Sequence, residues 1–175
     1  AKTGGDSFPP TGFGGLCQRY DLWKPVIALV NGDCIGGGLE LVLAADLVVA
    51  VPGARFGLPE PRVGLAASGG LHRLARYIGM KQAMEIALTG RLFSAAEMKD
   101  FGVINHVAQD FAHARGKALT WAQDIVKGAP LAIAATKQMM LSGLNHASLH
   151  DAFSAAYPAF QRMLESEDAQ EGTQA

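Results

Sequence analysis

Residues 25–51 constrain this chain more than any other stretch. Residues 25–30 form a short aliphatic run rich in β-branched side chains, which predicts a strand buried on both faces and stopped at Asn31-Gly32. Gly36-Gly37-Gly38 then leads into 39–45, where Leu39, Val42 and Leu43 supply the apolar face of a helix, and 47–51 reads as a second strand. A helix this short does not persist alone in water, so it must be packed between other elements. The unit is strand, glycine turn, helix, strand, and its natural host is a parallel or mixed sheet covered by helices: an α/β fold.

The rest of the chain is clearly punctuated. Pro52, Gly53, Gly57, Pro59, Pro61 and Gly64 make 51–65 a stiff loop. Beyond Gly69-Gly70 two helices are expected, over 71–77 closing at Gly79 and over 81–88 closing at Gly90. Ser94 with Glu97 is a capping box that opens a helix ending at Gly102, before a strand over 103–107. From Asp110 the pattern is helix after helix: one to Lys127, one from Pro130 toward Leu144, and one from about Ser148 that Pro158 kinks or divides. The expected division is 1–108, a partial α/β core with the active site, and 109–175, a helical region. In the latter, Leu131, Met139, Met140, Phe153, Phe160 and Met163 offer more apolar face than one thin layer needs, which favours docking on the core or on a neighbouring subunit.

Composition removes whole classes of function. With 49% apolar residues among 175 the chain is globular. Fifteen Lys and Arg against sixteen Asp and Glu leave no basic excess to neutralise phosphates, so no nucleic-acid partner is expected. The most apolar stretch, 26–51, is broken by Asn31, Asp33, Glu40 and Asp46, so no membrane span is expected. Two cysteines, Cys17 and Cys34, without a paired motif suit a reducing compartment and a cytoplasmic location. The Gly- and Pro-rich first fifteen residues read as loop and lack an initiator Met, so the chain is expected to be cut at its N-terminus.

Two carboxylates stand out. Glu40 lies a turn or less beyond the three glycines, where the open N–H groups and positive dipole end of a helix stabilise a developing oxyanion. The plainer alternative makes the glycines a tight packing device and Glu40 a dipole-favoured acid. Glu60 is held between Pro59 and Pro61 among apolar neighbours, where a carboxyl can give or take a proton near neutral pH. Its alternative is an ion pair with Arg62 or Arg55. Other motifs carry less. Leu41 stands where a dinucleotide fingerprint needs its third glycine, and no Lys follows Gly37 as in a phosphate loop. Ser68 only weakly imitates a nucleophile elbow, Cys34 reads as packing, and His146 with His150 lacks a third ligand, so no metal is expected.

Taken together, 24–32, Gly36-Gly-Gly-Leu-Glu-Leu41, Ala44-Ala-Asp46, Ala54-Arg-Phe-Gly-Leu-Pro-Glu60, Leu88-Thr-Gly-Arg-Leu-Phe-Ser-Ala95 and Gly102-Val-Ile-Asn105 resemble the enoyl-CoA hydratase/isomerase (crotonase) family, in its hydratase and carnitinyl-CoA dehydratase branch. The resemblance implies a crotonase-like spiral of ββα units with a C-terminal helical trimerisation region, coenzyme A thioester substrates and no separate cofactor. It makes Gly37 the donor of one oxyanion-hole N–H, Glu40 and Glu60 the acids that hold water, and Gly36, Gly38, Leu58 and Pro59 substrate-binding. A homotrimer or a dimer of trimers is implied. Keeping both acids favours hydration or dehydration over isomerisation.

Three departures accompany the resemblance. The family's second oxyanion N–H, from an Ala-Gly-x-Asp-type segment, is expected just before Ala1, so the N-terminal part of the domain is expected to be missing. The tail beyond 171–175 that helps contact coenzyme A stops short. The 64–70 segment is one residue shorter than the usual hydratase loop and lacks its frequent Pro. These departures give a rival reading, a non-catalytic thioester-binding or assembly subunit.

Overall fold

The structure is a computed structural model, and it describes residues 9–172; the Ala1 end and the tail beyond Gly172 lie outside the described residues. The chain forms two compact units. The first takes the described residues up to Tyr20 together with Val26–Leu119, and the second takes Asp21–Pro25 and the chain from Thr120 on. Along the C-terminal part of the chain the two units meet in sequence at 119/120. Residues 109–119 go with the first unit, where Ala114 is fully buried.

The first unit is built on the predicted strand, glycine, helix, strand segment. Strand β1 (Ile27–Val30) pairs in parallel with β3 (Leu47–Ala50), joined through helix α1 (Gly37–Ala44). Asp46 sets the start of that pairing: its carboxylate accepts the Val26 N–H at 2.7 Å while its own N–H donates to the Val26 carbonyl at 2.9 Å. On the other side of β3 lies β6 (His106–Val107), also parallel. Asn105 leads into it much as Asp46 leads into β3, its side-chain oxygen accepting the Val48 N–H at 2.7 Å and its N–H donating to the Val48 carbonyl at 3.0 Å. The strand expected over 103–107 shrinks to two residues, because the N–H groups of Val103 and Ile104 turn back to the Met98 carbonyl at the end of the preceding helix.

A second small sheet was not legible from periodicity. Cys34–Ile35 (β2) pairs in parallel with Arg55–Gly57 (β4), which pairs antiparallel with Phe93–Ser94 (β5). Strands of two or three residues are too short to show alternation, so β4 inside the Pro- and Gly-rich segment reads as loop. Gly57 is needed there: a Cβ would lie 2.8 Å from the Arg91 carbonyl oxygen.

Helices α2 (Leu71–Tyr77), α3 (Met80–Thr89) and α4 (Ala95–Asp100) follow the expected boundaries, with Gly90 left-handed at φ +59° after α3. Phe56, Phe93, Leu39, Leu58, Leu74, Ile86 and Met98 have no significant exposure and form one core. Truncating either phenylalanine to alanine is worth about 3–5 kcal/mol of stability in such a setting. Arg91 closes the core at β5: its guanidinium sits 3.6 Å above the Phe93 ring and pairs with Glu85 and Glu97.

The second unit is helical, containing the end of α5 (Phe111–Ile125), α6 (Pro130–Gly143), α7 (Leu149–Ser154), α8 (Pro158–Leu164) and α9 (Glu167–Gly172). Ser148 caps α7 by accepting the Asp151 N–H. Pro158 divides the last expected helix and stands in the first turn of α8. The buried Gln138 side chain holds α8 to α6, accepting the Ala159 N–H at 2.7 Å, and the Tyr157 hydroxyl donates to the Ala152 carbonyl. Leu149 and Phe153 are largely exposed. Among the described residues no helix is long and apolar enough to cross a membrane.

The capping box of α4 gives a pH-dependent prediction. Glu97 accepts from the Ser94 N–H, the Ser94 hydroxyl and Arg91, and these bonds hold its carboxyl down at about 2 against an ordinary 4.5. The unfolded chain therefore binds more protons at this site, so the stabilisation is full above the ordinary value and is lost as pH falls toward the folded one. Urea unfolding at a series of pH values is expected to show a shallower acid loss between roughly pH 5 and 2 for Glu97→Gln; slopes parallel to the parent would contradict this. Ser94→Ala is expected to remove about 1 kcal/mol at neutral pH.

Candidate active site

Three segments of the first unit converge on the N-terminal turn of α1. Gly36 stands before the helix at φ +58°, a left-handed backbone that glycine adopts without strain. Its own N–H is used, donating to the Gly57 carbonyl at 2.9 Å. The Glu40 N–H closes the first helical bond onto the Gly36 carbonyl at 3.1 Å, so the N–H groups of Gly37, Gly38 and Leu39 are at the open end of the helix. Gly37 lies directly under the Phe13 ring: a Cβ there would come within 2.4 Å of it and force the ring to move. Gly38 is less demanding, with only the Cys34 Sγ at 3.6 Å.

Glu40 points inward from this turn and is 8% exposed. Its Oε1 accepts the Gly69 N–H at 2.8 Å. Gly69 and Gly70 pack directly over it: a Cβ at Gly69 would lie 3.0 Å from the carboxyl carbon, and one at Gly70 would lie 3.3 Å from the Glu40 Cγ. The sequence reading took this glycine pair only as the start of the next helix. Its real signal is two small residues set where backbone must approach a buried carboxylate. The 64–70 segment delivers that amide.

Glu60 opens the 3₁₀ turn Glu60–Val63, with Pro59 before it and Gly64 left-handed after it. Its Oε1 lies 3.0 Å from where a Cβ on Gly36 would stand, and its Oε2 is buried with no hydrogen-bond partner among the described residues. Glu60 thus reaches Gly36, the residue before α1, while Glu40 stands in the first turn of that helix. The ion-pair alternative for Glu60 fails, because Arg55 forms a two-bond pair with Asp33 and Arg62 donates to the Thr89 carbonyl.

The remaining expected residues divide. Pro59 is half-buried beside Glu60, whereas the Leu58 side chain is wholly inside the core and presents no surface to a ligand. Cys34 packs against the helix start, and burial pushes its thiol up to about 11, which suits packing rather than nucleophilic work. Ser68 is exposed. His146 lies edge-on to Tyr157 in the second unit, and among the described residues no three His, Cys, Asp or Glu side chains gather as a metal site would require.

Known proteins share this arrangement of chain and fold. Residues 6–175 match the family described as Enoyl-CoA hydratase/isomerase. The mevalonyl-coenzyme A hydratase SIDH of Beauveria bassiana is 45% identical over 138 residues, covering 78% of this chain and 49% of that protein. The carnitinyl-CoA dehydratase of Salmonella paratyphi B is 40% identical over 173 residues, covering 96% of this chain and 66% of that protein. Among solved structures, the enoyl-CoA hydratase EchA1 of Mycobacterium marinum superposes with a TM-score of 0.84 at 39% identity, covering 94% of this chain and 64% of that one. The chain thus spans about half the length of one curated relative and about two-thirds of the other. With nearly every residue inside the family match and a backbone that follows a solved hydratase, the chain belongs to the enoyl-CoA hydratase/isomerase family, in the crotonase fold.

Proposed function

We propose that the protein containing this chain is a hydro-lyase that adds water reversibly across the double bond of 2-enoyl-CoA thioesters. The observation that carries the reading is a pair of carboxyl groups at the start of α1, Glu40 within its first turn and Glu60 against Gly36, the latter with a buried oxygen that no group among the described residues satisfies. A buried carboxylate oxygen without a partner is destabilising by about 1–3 kcal/mol or more, so a site of this kind is built for a polar group that arrives with the reaction. Water held between Glu40 and Glu60 is such a group.

The chemistry balances without a redox partner or metal. The thioester carbonyl oxygen accepts the Gly37 N–H at the positive end of α1, which draws electron density away from Cβ. Water attacks Cβ and gives its proton to one carboxylate; the π electrons move toward the thioester oxygen, and the other carboxyl delivers a proton to Cα. Both acids finish in exchanged protonation states and reset through solvent. The thioester is its own electron sink, so no cofactor is required. Gly36 acts here by leaving room for the Glu60 carboxyl, and Gly38 by the open N–H it offers beside that of Gly37.

The high identity to a carnitinyl-CoA dehydratase across nearly the whole chain supports a second reading, dehydration of a 3-hydroxyacyl-CoA in the same site. The exposed Met140, Leu149, Phe153 and Leu164 of the second unit support self-association as a trimer or dimer of trimers. The free, buried Cys17 and Cys34 suit a cytoplasmic location.

In the complete protein, Glu40→Gln and Glu60→Gln are each expected to lower the hydration rate at least ~10²-fold. Near-normal turnover in either would remove that residue from the mechanism, while a parent protein that binds enoyl-CoA without turnover would leave only a binding role. Crotonyl-CoA, crotonobetainyl-CoA and a 3-enoyl-CoA assayed side by side separate hydration, carnitinyl-CoA dehydration and isomerisation by which is turned over fastest. Light scattering at micromolar concentration is expected to give the mass of a trimer or its multiple; a monomer alone would refute the assembly.

A further inference from the structure

Arg73 on α2 has no part in the mechanism above, yet it ties together two segments that the mechanism depends on. Its Nη1 donates to the Cys17 carbonyl at 2.6 Å and to the Gly69 carbonyl at 3.3 Å. The first bond anchors a turn. The Cys17 N–H returns to the Phe13 carbonyl at 3.2 Å, and that turn lays the Phe13 ring on Gly37, the glycine to which the proposed mechanism gives the oxyanion-binding N–H. Leu41, one residue beyond Glu40, packs against Gly14 of the same turn. The second bond anchors the residue whose own N–H holds Glu40 Oε1 at 2.8 Å.

Neither carbonyl is an ordinary partner for a surface arginine. Arg73 is half-buried, and among the described residues no carboxylate lies within ion-pair distance of it. Charge-assisted bonds from a guanidinium to carbonyls are stronger than neutral ones, and here one nitrogen, Nη1, whose two N–H groups lie in the fixed guanidinium plane, serves both acceptors. A cation spent on two loop carbonyls therefore fixes the relative placement of those loops over α1.

We propose that Arg73 is a positioning residue for the reaction: its guanidinium holds the amide that orients Glu40 and the turn that covers Gly37 in one arrangement. It acts through those groups and does not touch substrate. The proposal rests on the hydratase reading given above.

The test uses Arg73→Gln and Arg73→Lys in the complete protein, with steady-state hydration kinetics and amide hydrogen exchange. Misplacing a reacting group by about 1 Å from a distance lowers rates by up to ~10²-fold, so Arg73→Gln is expected to lower kcat by roughly 30-fold with KM changed less than about threefold. Arg73→Lys is expected to recover part of that loss. The Gly69 amide is expected to exchange faster in Arg73→Gln while the Val49 amide, in the buried strand β3, keeps its protection. An unchanged kcat, or a loss in which Val49 protection falls equally, would overturn the positioning role. If Arg73→Gln does not fold, Arg73→Lys decides: reduced kcat with faster Gly69 exchange supports the proposal, and parent values for both refute it. Glu40→Gln and Glu60→Gln in the same assay keep the two failures apart. Inactive glutamate variants beside a fully active Arg73→Gln sink only the positioning role, whereas active glutamate variants sink the hydratase reading.

Discussion

A carboxylate can sit inside a small α/β unit only if something in the interior solvates it in place of water. For Glu40 that partner, among the described residues, is a backbone amide, the Gly69 N–H at 2.8 Å. The bond brings the chain around residue 69 close to α1, where a Cβ at Gly69 or Gly70 would crowd the Glu40 and Leu43 side chains at 3.0–3.3 Å. Glu60 belongs to the same stretch of chain and reaches the start of the same helix at Gly36. The helix, the glycine pair and the stiff 51–65 segment therefore form one device.

The glycines of 36–38 serve that device in distinct ways. Gly36 supplies a left-handed backbone and leaves room for the Glu60 carboxyl; Gly37 admits the Phe13 ring and presents an N–H at the helix start; Gly38 has looser surroundings. The arrangement suits a reaction in which negative charge develops on a carbonyl oxygen beside two proton-transfer groups. It gains directionality from the helix dipole, whose positive end faces the place where that charge forms.

Much of this was legible in the sequence, and the reasons are physical. The β1, α1, β3 unit was plain because aliphatic periodicity and glycine punctuation agree there, and the Ser94–Glu97 capping box was plain because both of its bonds are local. Glu40 was singled out because a carboxylate just after three glycines in an apolar run is out of place unless it has work. Several features were not readable. Strands β2, β4 and β5 are too short to carry a period, and the division at 119/120 depends on which residues of α5 are buried. The role of Gly69 and the bonds of Arg73 are set by segments 29 and 56 residues away, a separation that no local pattern records. Leu58 shows a further limit: its place in a family motif suggests contact with substrate, but its side chain fills the core, so such a contact falls to its backbone.

The claim at the centre is that both carboxyl groups and the Gly37 amide address one acyl group. The most direct measurement is a crystal structure of the complete protein with an unreactive acyl-CoA bound. The account predicts the thioester oxygen about 3 Å from the Gly37 nitrogen, with Glu40 and Glu60 each within hydrogen-bond reach, directly or through one water, of the positions of Cα and Cβ. A thioester lodged elsewhere, or one carboxyl group out of reach of those carbons, would contradict it.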